Sequence, residues 1–171
     1  NWYMGSAPYA MAEGQNASIY YHPGHDYNLD IYEEALMQSM RFVEDHLGTY
    51  PHSQVRLYEV PRYHEEIHHF ASGIAISERE GWVADTSGLK ERAYLRHTVA
   101  TGVVSHWIRC RLSIVRVQGA EMLRVALPEA LAMAYIKQAL GAEAVDILPA
   151  QKIKIYNKEH LSAPNGEPAL L

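Results

Sequence analysis

Cysteine is nearly absent. The single residue, Cys110, excludes an internal disulfide and any CxxC metal knuckle. Basic charge is short as well: 15 Lys and Arg against 20 Asp and Glu leave a net charge of -5. That balance lacks the basic face that non-specific nucleic-acid binding requires. No apolar run approaches the roughly 20 residues of a membrane span. No signal-peptide pattern opens the sequence; if a parent protein is anchored or exported, those parts are expected outside these residues. No internal repeat is visible. What remains is 171 residues, 48% hydrophobic and 20% charged, a globular composition with enough chain for one real core.

Residues 1–18 mix aromatics with Gly5, Pro8 and Gly14 and read as the tail of a preceding β-rich region. Ala17–Tyr21 is expected to be a short strand, ended by the turn HPGHDYN at 22–28. Asn28 or Asp30 can cap the helix that follows, in which Tyr32, Leu36, Met40, Val43 and Leu47 recur at helical spacing. Gly48 closes it and Pro51 prevents its continuation. QVRLYEV at 54–60 alternates like a strand, 61–73 reads as a loop or irregular edge, and Gly73–Ser77 as a second short strand. Ser87 can start another helix with a stripe of Leu95, Val99, Val103, Trp107 and Cys110. Within that apolar pattern Cys110 is expected to be a buried, inert thiol. A loop at Gln118-Gly119 leads to a third helix from about 126 to Leu140, with Pro128 in its first turn and Gly141 past its end. Strands early and helices late give the fold class α+β. The domain is expected over 19–145, and 146–171 reads as a C-terminal extension or cut linker.

The order of YYHPGHDYNLD, a long helix, LGTYPHSQVRLYEVPRY, GIAISERE and a helix ending in His106-Trp107 resembles the gluzincin aminopeptidases, the family of aminopeptidase N and leukotriene A4 hydrolase. The likeness extends furthest to the degenerate gluzincin-like domains of bacterial ABC-transporter permease proteins, where VQGA and ML follow the zinc helix as Val117-Gln118-Gly119-Ala120 and Met122-Leu123 do here. It covers roughly residues 17–141. The resemblance implies a fragment of a thermolysin-like catalytic-domain fold, short N-terminal strands followed by helices. Active members carry H-E-x-x-H on a helix, two imidazoles for zinc and a glutamate for the attacking water, with a second glutamate ligand on the next helix. Aligning the family's tryptophan on Trp107 puts Thr101 and Ser105 at the histidine positions and Gly102 at the general base; aligning on VQGA puts Val125 at the last ligand, with Glu129 one turn further along. Neutral hydroxyls are poor zinc ligands, glycine carries no proton acceptor, and valine has no donor atom. The family's G-x-M-E-N stretch appears as Phe70-Ala71-Ser72-Gly73-Ile74, a further departure. The implied protein is a non-catalytic homologue that needs no metal. It would be an extracytoplasmic binding or scaffolding part of a bacterial transporter-associated membrane protein, with partners among that protein's other domains or a peptide or protein.

Two alternatives stand beside it. A literal H-E-x-x-H occurs at His64-Glu65-Glu66-Ile67-His68, followed by His69, with Asp85 at a metzincin-like distance; an active zinc peptidase would use it. Pro61 upstream and Ser72-Gly73 downstream leave room for about one helical turn, so a solvated histidine-rich loop is the plainer expectation. The other alternative is a purely structural interaction domain. His22 and His25 flank a Pro-Gly turn and shape it or form a weak surface metal pair. His97 and His106, nine apart, fall on opposite helix faces, and His106 is expected to be packed or hydrogen-bonded. Ser105 and His106 are neighbours on a helix and do not face each other, which removes a hydrolytic pair. Arg109, Arg111, Arg116 and Arg124 give the former cleft a positive bias, from solvated faces or from contact with an anion.

Overall fold

The computed structural model describes residues 8–14, 17–61, 67–70, 73–112, 118–120 and 122–149. Strands β1 (Ala10–Glu13), β2 (Ala17–Tyr21), β3 (Val55–Val60), β4 (Ile67–Phe70) and β5 (Gly73–Ser77) form one mixed sheet in the order β1-β2-β3-β5-β4. The β2–β3 and β3–β5 pairs are parallel; β1–β2 and β4–β5 are antiparallel. Helix α1 (Leu29–Leu47) is the crossover that a parallel β2–β3 pair demands. The protein is therefore α+β, with α1 interleaved among the strands rather than following them.

Helix α1 buries Tyr32, Ala35, Leu36, Ser39, Met40, Phe42 and Val43, a stripe at helical spacing that faces the sheet and its neighbour helix. Its end is set by Gly48 at φ 104, a conformation that side-chain-bearing residues rarely adopt. Asn28 is the residue before its first turn, but its side chain makes no cap bond. Its amide instead reaches the carbonyls of Gly81, Trp82 and Ala84 and its oxygen accepts from Thr86, which ties the loop before the next helix to the start of α1. That next helix, α2 (Leu89–Arg111), begins after Gly88 rather than at Ser87. Beneath the loop, Trp82 is fully buried and stacks on Tyr32 at 4.1 Å.

Helix α2 is buried on more than the one expected stripe. Leu95, Val99, Val103, Val104 and Ile108 join Leu57, Ile74, Ile76 and the α1 residues in one core. On its other side Ala93 and Ala100 meet Phe42 of α1, Ala132, Tyr135 and Ile136 of helix α3 (Leu127–Leu140), and Ala144 and Leu148. The last two belong to helix α4 (142–149), which runs across the boundary expected at residue 145; the rest of the expected extension, 150–171, lies outside the described residues. The layers are sheet, then α1 and α2, then α3 and α4. Because α2 has protein on both sides, its polar Arg96, His97, Thr98, Thr101, Ser105 and His106 are buried too. One consequence overturns an expectation: Cys110, at the far end of α2 beyond both layers, is exposed. At the other end of the chain, β1 is the edge strand beside β2. Among the described residues no helix is long and apolar enough to cross a membrane.

Candidate functional site

Thr101 and Ser105 lie four residues apart on α2 and so share one face of it. That face looks into an open cleft of about 510 Å³, lined by Ile67 and His69 of β4, Thr101 and Ser105, and Arg124, Val125, Pro128 and Glu129. The last four come from a single π-helical turn, Met122–Ala126, and the first turn of α3. The widened turn precedes Pro128, which lacks an N–H and so suits a helix's first turn. Gly102 lies against the sheet at the floor of that face: a Cβ there would sit 3.0 Å from Ile74 Cγ2 and 3.6 Å from Ile67 Cγ2. The missing side chain is what lets α2 lie this close to β5.

The cleft is more apolar than polar, with a few polar groups set into its wall. Thr101 is 9% exposed and its hydroxyl has no hydrogen-bond partner among the described residues. His69 Nδ1 is likewise buried without one. Burial, with the Arg109 charge and the rings of His106 and His68 nearby, pushes His69 down to about 3, so its imidazole is neutral near pH 7. Glu129 Oε2 lies 3.4 Å from Nε2 of the buried His97. Two hydroxyls and the exposed, donor-free Val125 at the three positions framing the cleft do not suit a zinc ion, and Gly102 offers nothing to take a proton. Among the described residues the lining carries two hydroxyls, a neutral imidazole and the Arg124 and Glu129 side chains.

No protein-family model and no curated protein matches the chain.

The literal H-E-x-x-H divides. His64 and Glu65 lie outside the described residues, whereas His68 and His69 sit on β4, an edge strand within the segment expected to be a loop or irregular edge. Neighbours on a strand point to opposite faces, so His68 and His69 cannot grip one ion together. His22 and His25 both serve a buried acid: the His22 backbone N–H and the His25 ring engage the carboxylate of Glu59, which is 0% exposed on the inner face of β3. His106 is buried and hydrogen-bonded, with Nδ1 2.8 Å from the Tyr50 hydroxyl and Nε2 3.1 Å from the Phe70 carbonyl. Arg109 and Arg111 are exposed, Arg124 lines the cleft, and Arg116 lies outside the described residues.

Among the described residues one grouping offers three metal-type donors, and it is elsewhere: His52, His106 and Cys110, with one atom each within 4.8 Å of one another. Two of its three members carry a signal in the sequence, because His106 and Cys110 stand four apart and so share a helix face. His52 comes from the connection between α1 and β3 and carries no pattern of its own.

Proposed function

We propose that the chain is a non-catalytic gluzincin-like domain, a fragment of the thermolysin-like fold, whose former zinc cleft has become a binding or scaffolding surface. In this reading it forms an extracytoplasmic part of a bacterial transporter-associated membrane protein. Its partners are that protein's other domains or a peptide laid along the cleft. The observation that carries the reading is the meeting of Thr101, Ser105 and Val125 around one cleft. A register chosen from the resemblance to an enzyme family assigned those three residues to the ligand positions, and residues drawn from two separate helical segments converge there. Retention of the cleft's walls with loss of every ligand suits binding without turnover. Adjacent β4 at the sheet edge offers a backbone against which an extended peptide can pair.

The test restores the ligands. Thr101→His, Ser105→His and Val125→Glu together should create a zinc site, with Gly102 left alone because of its closeness to Ile74. The triple variant is made in a Cys110→Ser background, which removes the one sulfur ligand elsewhere in the chain. Uptake of one zinc per chain, absent from the Cys110→Ser parent, is the expected result. A folded triple variant that takes up no zinc would mean that the cleft is not a former gluzincin centre.

A further inference from the structure

We infer that His52, His106 and Cys110 form a binding site for a zinc-type divalent ion, separate from the cleft. Cys110 Sγ lies 3.7 Å from His52 Nε2 and 3.7 Å from His106 Nε2. A tetrahedral zinc with Zn–N of about 2.0–2.1 Å and Zn–S of about 2.3 Å sets its N and S ligands about 3.6 Å apart. The donor spacing already matches that edge. The 48–52 segment is held against the last turns of α2 by other bonds: Trp107 Nε1 donates to the carbonyls of Gly48 and Thr49, and Arg111 donates to Thr49 at 2.9 Å. His52 is thereby positioned without help from an ion. The His52 ring stacks on His106 at 5.4 Å.

The outer partners suit the role. To bind through Nε2, His106 gives up its contact with the Phe70 carbonyl and carries its proton on Nδ1, which then donates to the Tyr50 oxygen. The Tyr50 hydroxyl, accepting there, can still donate its own hydrogen bond to the Val103 carbonyl, 3.4 Å away. A ligating histidine whose second nitrogen donates to a fixed acceptor is the usual outer-shell arrangement. The Cys110 thiol loses its proton as the metal–sulfur bond forms, so one proton is released per ion. Burial holds that thiol up while the Arg111 charge pulls it down. Two nitrogens and one sulfur leave a fourth position for water or a donor from a partner. The proposal does not depend on the reading of the cleft.

Cobalt(II) is the probe, added to protein without a histidine tag. One equivalent should bind with thiolate-to-cobalt charge-transfer absorption, and zinc should displace it. Cys110→Ser should abolish the band, and His52→Ala should weaken binding at least tenfold. Cys110 is exposed and His52 half-buried, so both variants should fold where a His106 variant need not. Zinc should also raise the melting temperature of the parent but not of Cys110→Ser. Cobalt bound without a sulfur band, or bound as tightly by Cys110→Ser as by the parent, would overturn the assignment.

Discussion

Gly102 gives the sharpest physical test of how α2 meets the sheet. Replacing a helix-interior glycine by alanine ordinarily stabilises by about 1 kcal/mol, because glycine has more backbone freedom to lose. Here the added methyl would meet Ile74 Cγ2 at 3.0 Å, with Ile67 Cγ2 at 3.6 Å and Ile74 Cδ1 at 3.8 Å behind it. Ile74 is fully buried on the interior strand β5 and has little room to retreat. Overpacking of this kind costs about 1–3 kcal/mol. The two effects oppose, and Gly102→Ala should leave the protein about 1 kcal/mol less stable. For a domain of this size that is a fall in melting temperature of about 2–4 °C. Thermal and urea unfolding of four proteins would check it: parent, Gly102→Ala, Ile74→Leu and the double variant. Ile74→Leu removes the offending γ2 methyl at nearly constant volume. In that background the alanine should become stabilising by about 1 kcal/mol, its propensity gain no longer opposed. If Gly102→Ala stabilises the parent outright, closeness to β5 is not the reason for glycine at 102.

Two further outcomes follow from the packing. Leu148→Ala should cost about 2–5 kcal/mol by calorimetry, since Leu148 is buried against the outer helices; a change within error would mean that α4 is not part of the folded unit. His69 sets a pH dependence. Its pKa in the folded state, about 3, lies below the ordinary 6.5, so the unfolded chain binds the extra proton between those values. Stability therefore holds above pH 6.5 and declines as pH falls toward 3, with a slope from this group of at most about 1.4 kcal/mol per pH unit. His69→Asn should flatten that part of the profile in pH-dependent unfolding; an unchanged slope would remove His69 as its source.

Much of the architecture was legible because a few residues act as punctuation. The bounds of β2 and β5 are those expected from turn residues and short apolar runs, β3 differs by one residue, and Pro128 and Gly141 bracket α3 closely. Other parts depend on neighbours distant in sequence. Strand β4 has no strand signature among its charged and histidine-rich surroundings; it exists because β5 offers an edge to pair with. Asn28 looks like a cap, yet carbonyls more than fifty residues away claim its side chain. The wider burial of α2, which takes in His97, Thr101 and Ser105, follows from α3 and α4 covering its second side. Periodicity within α2 cannot report that cover, and it placed Cys110 in a core that ends before the helix does. The cleft residues were reached through the resemblance, not through any pattern of their own, and His52 was invisible until the fold brought it beside Cys110.

With α2 shared by two cores, the sheet and the outer helices cannot melt independently. Loosening either layer strips cover from the same helix, exposing its Arg96 and His97 along with its valines. Unfolding should then proceed as one cooperative transition, the calorimetric and van't Hoff enthalpies agreeing. A partner lodged against Thr101 and Ser105 would brace the whole molecule rather than one wall of a groove.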